Sequence, residues 1–541
     1  MRPLCGPPDR CDSGTDPLLS GTSASAGHGG RQGREVAVKW QPNGVPTPSG
    51  AVQAGMHEPP PRGHRRLSVP WSVNAVGKVV LFAGVDPLST GESRYPWHPL
   101  SVLTVGTALR VAGHEPVLID CQIEPEWRAR LAAEARDALY VGLSCMTGPS
   151  IANVLDAIET VRQHAPGTPL VWGGYHASLA YRSILRERWV DVVVRGPGET
   201  AAVALADIVE TEGRLSPPLL GGIPNLAYRD GRREISLGGV VTDRVLETAY
   251  GSVADLLTLP PVDYTLLPVE SYFTSEIRDL SYLSSWGCPH PCGFCSEPKT
   301  SLRRWKGLPA GRVVDELSHL WTTYRPDQIS LMDPNFSTNI QRVVEIVEEL
   351  ERRGLCIQLR ANMRAKDIVQ LARHIKLERL RDVGFSAIFI GCESGSDRML
   401  ELMTKNSTVQ DTIDGCRLLS DAGIVQLTSW IHDLPDETEA DSEMTLGVAA
   451  YLARLPHNQQ KHHFFTPFPG TDLYQALFGA SEDDGRTQQE WASSDTYAAS
   501  SIWSGRRDFR ARVLARLEDL KATYPQVLLR SLPRLTEPAH R

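Results

Sequence analysis

Short apolar runs alternate with longer amphipathic stretches from residue 76 to residue 212. The runs lie at 79–82, 117–119, 140–143, 170–172 and 191–194, and helical spacing fills the intervals, first over 100–112. Such continuous apolar runs are typical of parallel strands buried on both faces. The alternation therefore predicts a doubly wound, Rossmann-like α/β domain over residues 76–212.

The same alternation returns over residues 280–477. Strand candidates lie at 281–285, 328–332, 356–359, 387–390, 425–431 and 462–465, and helical patterns such as 342–353 lie between them. The helix at 342–353 carries its apolar residues at helical spacing along one face. Six βα units predict a partial (β/α)6 barrel, an open version of the eight-fold barrel.

Composition sets the remaining domain limits. Residues 1–75 are rich in Gly, Pro and Ser and predict a disordered extension without the apolar core of a signal peptide, and Met56 competes with Met1 as the true start. Residues 213–279 are interpreted as a connector, because Leu259-Pro260-Pro261-Val262-Asp263 does not suit a helix. Residues 478–541 are expected to form a C-terminal helical tail.

Charge and cysteine usage narrow the class of protein. The 541 residues carry a formal net charge of -8, which argues against a nucleic-acid partner, and no apolar run is long enough to cross a bilayer. Of the 10 cysteines, only a few are clustered. Without a signal peptide, such a cluster indicates metal binding or catalysis rather than disulfides, and it predicts a reducing cytoplasm.

The clustered cysteines lie in one loop, directly after a predicted strand. Cys288, Cys292 and Cys295 follow the spacing C-x3-C-x2-C. Thiolates are soft ligands that suit an iron–sulfur cluster, and three of them on a [4Fe–4S] cluster leave one iron open to a further ligand. A zinc site with His290 as the fourth ligand is the alternative, although structural zinc sites usually pair two CxxC knuckles.

The cysteine loop resembles that of the radical S-adenosylmethionine (SAM) superfamily. The chain is more narrowly similar to the branch with an N-terminal cobalamin-binding domain, which contains the class B radical SAM methyltransferases. The likeness spans roughly residues 79–474. Its motifs are GLS at 142–144, GGYH at 173–176, RGPGE at 195–199, LPPVD at 259–263, DPNF at 333–336, GCESGS at 391–396 and PFPGTDLY at 467–474.

This resemblance implies three cofactors and their contacts, and it singles out no catalytic residue. It implies a [4Fe–4S] cluster on Cys288, Cys292 and Cys295. It implies SAM beside Phe294, Asp333, Asn335, Glu393 and Ser394. It implies cobalamin at the strand ends of the first domain, beside Ser144, Thr147, Gly173, Gly174, His176 and Glu199.

The chain departs from the family pattern in two places. Where the family commonly reads Ile-x-Gly-x-Pro-Gly-Glu-Thr, Asp433 and Asp436 replace the glycines. Glycine permits close backbone approach to a ligand, so the change is expected either to alter the contact with adenine or to place a carboxylate near the substrate. The chain also lacks the Asp-x-His-x-x-Gly motif, so no protein histidine is expected as lower ligand of the cobalt.

The implied reaction transfers a methyl group to an unactivated carbon or phosphinate phosphorus of a small specialised metabolite, such as an antibiotic intermediate. The route would use a 5′-deoxyadenosyl radical and methylcobalamin, with an electron donor such as flavodoxin or ferredoxin. Three alternatives stay open. They are a cobalamin-dependent cyclase or rearrangement enzyme without methyl transfer, a radical SAM enzyme with a vestigial first domain, and a zinc-stabilised protein without catalysis.

Overall fold

A computed structural model describes residues 77–85, 96–235, 241–251, 257–274, 276–479, 485–493, 505–525 and 527. All of these described residues belong to one compact unit. The disordered extension expected at 1–75 lies outside the described residues.

The first domain is built on a sheet whose five leading strands are parallel, in the order β2-β1-β3-β4-β5. The strands are β1 (Lys78–Ala83), β2 (Glu115–Asp120), β3 (Tyr140–Ser144), β4 (Leu170–Gly173) and β5 (Val192–Val194). The helices are α1 (Leu100–Ala112), α2 (Trp127–Glu134), α3 (Ser150–His164), α4 (Gly174–Arg186) and α5 (Glu199–Glu212).

Both faces of this sheet are buried. Leu81 packs in one core with Leu103 of α1, whereas Phe82 packs in a second core with Val154 of α3. Helices therefore cover the two faces, which confirms the doubly wound domain. Since β1 lies between β2 and β3, the connection from β1 to β2 and the connection from β2 to β3 run in opposite directions across the sheet. Ligands of such folds bind at this switch point, beyond the carboxyl ends of the strands.

Two further strands lie between residues 213 and 279. After α6 (Pro217–Leu220), β6 (Leu226–Ile235) pairs antiparallel with β5, and β7 (Val241–Glu247) pairs antiparallel with β6. The hairpin extends the first sheet to seven strands among the described residues. The sequence pattern did not predict it, because the second half of β6 is a charged run with no apolar alternation.

The second sheet has six parallel strands in the order β8-β11-β12-β13-β14-β15, which confirms the partial (β/α)6 barrel. The strands are β8 (Asp279–Tyr282), β11 (Gln328–Leu331), β12 (Leu359–Met363), β13 (Phe385–Glu393), β14 (Val425–His432) and β15 (Asn458–Phe464). A small antiparallel pair, β9 (Ser285–Gly287) and β10 (Trp305–Gly307), follows β8.

Three of the expected barrel strands differ from the structure. The strand expected at 281–285 is divided between β8 and β9, and the strand expected at 356–359 begins only at Leu359. The strand expected at 462–465 begins earlier, at Asn458. In β12 the buried Leu359, Ala361 and Met363 alternate with the half-buried Arg360 and Asn362. The polar side faces away from the helices, so the strand lacks the continuous apolar run used to locate the others.

Helices connect and cover the barrel strands. They are α7 (Glu297–Thr300), α8 (Ala310–Tyr324), α9 (Ile340–Arg352), α10 (Ala365–Leu371), α11 (Glu378–Asp382), α12 (Asp397–Leu402), α13 (Val409–Asp421) and α14 (Glu439–Leu452). After the barrel come α15 (Asp472–Phe478), α16 (Gln488–Ser493) and α17 (Arg507–Thr523).

Other segments cover the two edges of the open barrel. At β8, the Tyr264 hydroxyl donates to the Ser281 carbonyl at 2.5 Å, and the Ser281 amide donates to Nδ1 of His98 at 3.4 Å. At β15, the Gln460 amide donates to the Val527 carbonyl at 2.7 Å. These contacts satisfy polar backbone groups that a bare edge strand would expose. They also hold the first domain and its connector against β8.

Candidate active site

The cysteine loop begins at Gly287, whose φ of 78° lies in the left-handed region, and carries three half-buried thiols. Two neighbouring segments hold its middle. The Gly293 amide donates to the Met403 carbonyl at 2.8 Å, and the Gly293 carbonyl accepts from the Leu473 amide at 2.9 Å. These two hydrogen bonds fix the middle of the loop to the segments after α12 and at the start of α15.

The zinc alternative depends on a fourth ligand beside the three cysteines, because structural zinc sites are four-coordinate. His290 is the histidine that the loop itself offers for this role. A [4Fe–4S] cluster binds one cysteine at each of three iron corners and leaves the fourth corner open, so it needs no further side chain from the loop.

His290 is engaged elsewhere. The Arg364 guanidinium donates to its Nδ1 at 2.9 Å, and burial together with the charge of Arg364 lowers the pKa of His290 to about 4. The ring is therefore neutral near pH 7. The same guanidinium donates to the carbonyl of Asn406 at 3.0 Å, so it joins the cysteine loop to the segment after α12.

Burial raises the pKa values of two of the thiols. It raises the pKa of Cys288 to about 11 and the pKa of Cys295 to about 12. A metal ion deprotonates the thiols that it binds, so loading of this loop would release protons.

Asp333, expected beside SAM, binds the backbone ahead of the cysteine loop. Its carboxylate accepts from the Ser284 amide at 2.7 Å, from the Ser284 hydroxyl at 2.6 Å and from the Ser285 hydroxyl at 2.5 Å. Arg342 donates to the Ser284 carbonyl at 2.8 Å. Asp333 is fully buried in this network, which fixes the junction of β8 and β9.

Asn335 and Ser394 are also held by buried hydrogen bonds. Asn335 donates its amide to Asp367 at 3.0 Å and accepts from Ser337 at 2.8 Å. The Ser394 hydroxyl lies 3.0 Å from the Thr445 hydroxyl. Both residues follow barrel strands, where polar groups usually serve the site, so their contact with SAM stays a prediction.

Glu393 forms a buried ion pair with a lysine that the sequence had not indicated. Lys405 Nζ donates to Glu393 Oε1 at 2.7 Å, and their side chains are 8% and 9% exposed. Lys405 Nζ also lies 5.6 Å from the centre of the Phe294 ring, within the cysteine loop. Glu393 has a φ of 65°, at an irregularity in the pairing of β13 with β14. The pair thus connects this bulge to the cysteine loop.

A cavity of about 340 Å³ lies between the carboxyl edge of the first sheet and the start of the barrel. From the first domain, the ends of β3, β4 and β5 and the beginnings of α1, α4 and α5 line it. From the barrel, β9 and α7 line it, directly before and after the three cysteines. The wall of the cavity is therefore shared with the cysteine loop.

Four of the six residues expected to bind cobalamin line this cavity: Ser144, Gly173, Gly174 and Glu199. The other two lie outside its lining. Nδ1 of His176 is 3.1 Å from the Thr147 hydroxyl, and Nε2 of His176 is 2.7 Å from the Gln488 side chain. His176 is fully buried, and burial lowers its pKa to about 4. In the structure, His176 therefore serves as a buried residue that links Thr147 and Gln488 through its ring nitrogens.

Glu199 leaves one oxygen of its carboxyl group available to a ligand. The residue is 6% exposed, lines the cavity, and has no hydrogen-bond partner for Oε2 within the described part of the chain. Burial raises the pKa of Glu199. An unpaired buried polar atom is unfavourable unless a ligand satisfies it, and the amide groups around a corrin ring are suitable partners.

Two hydrogen bonds, made by residues that were not expected in the site, connect α7 to Tyr175 of the first domain and to Tyr250. The Tyr175 hydroxyl donates to the Glu297 carboxylate, and the Tyr250 hydroxyl donates to the Thr300 carbonyl at 2.5 Å. A side chain at Gly196 would clash with Tyr250. Tyr175 lies within the GGYH motif and Glu297 lies two residues after Cys295, but only their contact shows that they act together.

The aspartates that replace the family's glycines are explained by backbone conformation and by a partner. Asp433 and Asp436 have φ values of 59° and 57°, in the region that favours glycine and that aspartate tolerates. Asp433 is fully buried and accepts from Arg510, and Arg506 Nη1 lies 3.4 Å from it. Asp433 is thus directed to α17, and the expected effects on the adenine contact and on the substrate stay predictions.

Within the described residues, every helix is too short or too polar to cross a membrane. This agrees with the absence of a long apolar run in the sequence.

Comparison with known families gives two matches, to two separate segments of the chain. Residues 88–206 match the B12 binding domain, and residues 282–448 match the Radical SAM superfamily.

Two relatives are similar over much of the chain. An uncharacterized methyltransferase of Pyrococcus horikoshii is 30% identical over 57% of this chain and 62% of its own length. The anaerobic magnesium-protoporphyrin IX monomethyl ester cyclase of Cereibacter sphaeroides is 27% identical over 70% of this chain and 60% of its own length. The chain thus spans about three fifths of the length of these relatives.

Among solved structures, the fold is similar to that of the radical S-adenosylmethionine methyltransferase TsrM of Kitasatospora setae, bound to tryptophan substrate and a SAM analogue. The TM-score is 0.59 at 19% identity, over 74% of this chain and 76% of that one. At this identity the likeness concerns the fold.

Proposed function

We propose that the chain is a cobalamin-dependent radical SAM methyltransferase, because residues 282–448 match the Radical SAM superfamily and residues 88–206, ahead of them, match the B12 binding domain. One observation carries the proposal. The cavity at the carboxyl edge of the first sheet and the cysteine loop share a wall, formed by β9 and α7. Two cofactors bound at these places would face one another.

The residues of the cysteine loop fit a [4Fe–4S] cluster that also binds SAM. Cys288, Cys292 and Cys295 would hold three of its irons, and Asp333 would keep the preceding backbone in place through Ser284 and Ser285. Phe294, Asn335, Glu393 and Ser394 are proposed as SAM contacts. Bound together, the cluster and SAM supply a 5′-deoxyadenosyl radical, which can abstract hydrogen from an unactivated position.

The chemistry of the cavity lining suits part of a corrinoid. Its lining is largely apolar, it is bordered by Gly173 and Gly174, and Glu199 offers a buried carboxyl oxygen without a protein partner. A corrinoid there would supply the methyl group for transfer. Ser144 and Glu199 would hold its polar periphery. Thr147 and His176 would act from behind the cavity wall, by supporting α4 through Gln488.

Two SAM-derived products test the proposal. Protein reconstituted anaerobically with iron, sulfide and hydroxocobalamin is incubated with SAM and titanium(III) citrate. We expect 5′-deoxyadenosine to depend on the cluster, and S-adenosylhomocysteine to depend on added cobalamin as well. Cys292→Ala should abolish 5′-deoxyadenosine, whereas Cys121→Ala, a half-buried cysteine of the first domain, should not. Nucleoside formation by Cys292→Ala would contradict the cluster assignment.

A cyclase or rearrangement without methyl transfer is the second candidate. The similarity to an anaerobic cyclase, over 70% of this chain, favours it. Such a reaction would give 5′-deoxyadenosine without stoichiometric S-adenosylhomocysteine in the presence of substrate. The ratio of the two nucleosides therefore separates the candidates.

The substrate, the electron donor and the location are further parts of the proposal. We propose a small specialised metabolite, such as an antibiotic intermediate, methylated on an unactivated carbon or phosphinate phosphorus. We propose flavodoxin or ferredoxin as electron donor in a reducing cytoplasm. In an assay without chemical reductant, 5′-deoxyadenosine should form when reduced flavodoxin or reduced ferredoxin is added and should not form when both are omitted.

A further inference from the structure

A hydrogen bond crosses from the cavity of the first domain to the segment that follows the cluster cysteines. The donor is the hydroxyl of Tyr175, in the first turn of α4, and the acceptor is the carboxylate of Glu297, the first residue of α7. These residues are 122 positions apart in the sequence. Both line the cavity, and Glu297 follows Cys295 by two residues.

Each end of this bond is connected to one of the two proposed cofactor sites. Gly174, with a φ of 86°, positions Tyr175 at the start of α4, and a side chain at Gly174 would clash with Ser144. At the other end, the Ser301 hydroxyl donates to the Glu297 carbonyl at 2.8 Å, and the Cys288 amide donates to that hydroxyl at 3.5 Å. A displacement of Glu297 would therefore reach both ends of the cysteine loop.

The acceptor end of the bond is well protected from water, since Glu297 is 9% exposed. Tyr175 is half-buried in the wall of the cavity. A carboxylate only accepts hydrogen bonds, so the phenol hydroxyl is the donor. A ligand in the cavity would press on this tyrosine, while a cluster would fix the far end of the bond.

We propose that Tyr175 and Glu297 are positioning residues that couple corrinoid binding in the cavity to cluster binding on the cysteine loop. The inference rests on the proposed function. Each cofactor orders the same hydrogen bond, so the second cofactor binds to a site that is already arranged. Coupling of this kind is reciprocal and commonly changes an affinity by about 5- to 150-fold.

The test is a comparison of hydroxocobalamin affinities. The dissociation constant is measured anaerobically by equilibrium dialysis, for cluster-free and for cluster-loaded protein. For the wild type, we expect binding to be at least about five-fold tighter when the cluster is present. In Tyr175→Phe, which lacks only the donor, the ratio of the two constants should fall close to one.

A second pair of variants separates the bond from a general disturbance of the fold. Glu297→Ala removes the acceptor and should lower the ratio as Tyr175→Phe does, and the double variant should add nothing further. Glu297→Gln keeps an acceptor oxygen and should retain the coupling. Tyr264→Phe removes another tyrosine bond to the barrel, at β8, and should keep the wild-type ratio.

The outcomes distinguish this inference from the proposed function. A wild-type ratio near one, or an unchanged ratio in both Tyr175→Phe and Glu297→Ala, would overturn the coupling while cobalamin binding itself still stood. Failure of the wild type to bind hydroxocobalamin in either form would overturn the proposed function, and the coupling with it. A loss of coupling shared by Tyr264→Phe would also count against the specific role of Tyr175.

Discussion

At the scale of single residues, the cysteines of the site can be recognised from their spacing in the sequence, whereas most other site residues cannot. Three thiols in one loop need no partner from elsewhere in the chain to be recognised. Glu393 is different, because its surroundings depend on Lys405, which enters the site through a contact of the loop after α12 with the cysteine loop. No motif in the sequence pairs these two residues.

The Lys405–Glu393 pair leads to a prediction about stability and SAM binding. Removing one partner of a buried ion pair costs about 3–5 kcal/mol, because the other charge remains buried. We expect Lys405→Met to lower the free energy of unfolding by that order and to weaken SAM binding. The double variant Lys405→Met with Glu393→Gln should recover much of the stability but not the affinity. Urea unfolding and equilibrium dialysis with SAM measure the two effects.

The exposed Lys366 supplies the control for this experiment. Lys366→Met should change neither quantity, since this side chain lies on the surface of α10. Tight SAM binding by the double variant would show that the pair supports the fold alone.

At the scale of elements, apolar runs located the strands that are buried on both faces and missed those with a polar side. β12 begins at Leu359, three residues after the predicted start, because Arg360 and Asn362 alternate with its apolar residues. The helix α17 illustrates a second limit. Its packing against β14 depends on a buried aspartate and two arginines that are more than 70 residues away in the sequence.

The ion pair between Asp433 and α17 provides the second prediction. Arg510→Leu would leave the fully buried Asp433 without its main partner, and we expect a loss of about 3–5 kcal/mol in the free energy of unfolding. Adding Asp433→Gly, which also suits the positive φ, should restore most of the loss. Urea denaturation followed by circular dichroism gives these values.

An exposed pair on the same helix serves as the comparison. Arg516 lies 3.0 Å from Glu443, and its side chain is 52% exposed. Surface pairs contribute about 0–1 kcal/mol, so Arg516→Leu should have little effect. Equal effects of the Arg510 and Arg516 substitutions would mean that Asp433 does not depend on α17.

At the scale of the whole molecule, the connector holds the first domain to the open edge of the barrel. His98 stacks on Tyr272 with ring centres 4.5 Å apart, and the Tyr272 hydroxyl donates to the Asp120 carboxylate at 2.7 Å, at the end of β2. Tyr264 and His98 then bind the backbone of Ser281 on β8. This arrangement places the cavity beside the cysteine loop.

Tyr272 yields a prediction that depends on pH. Burial raises the pKa of Asp120 from 3.8 to about 6, although the bond from Tyr272 opposes the rise. The stability that belongs to the protonated carboxyl is complete below about 3.8 and is lost as pH rises through about 6. Tyr272→Phe removes a donor that favours the charged form, so its cost should be larger at pH 8 than at pH 5. Urea unfolding at both values measures it.

We expect a cost of about 1–3 kcal/mol at pH 8, as for a buried acceptor that loses its donor. Tyr324→Phe is the control, because the ring centre of Tyr324 lies 6.0 Å from that of Tyr264, while the Asp120 carboxylate accepts from Tyr272 and from the Gln122 amide. A penalty for Tyr272→Phe that is the same at both pH values would show that Asp120 does not depend on this hydroxyl.

The sequence alone determined the two α/β domains and the cysteine loop, because these follow from local periodicity and from chemistry confined to a few neighbouring residues. It also placed Ser144, Gly173, Gly174 and Glu199 at strand ends, which meet at one edge of a parallel sheet. Only the tertiary structure decided that His176 turns into the core, that Asp433 binds α17, and that Tyr175 reaches Glu297. Each of these outcomes depends on which side chains distant in sequence come within bonding distance, and neither periodicity nor motif spacing contains that information.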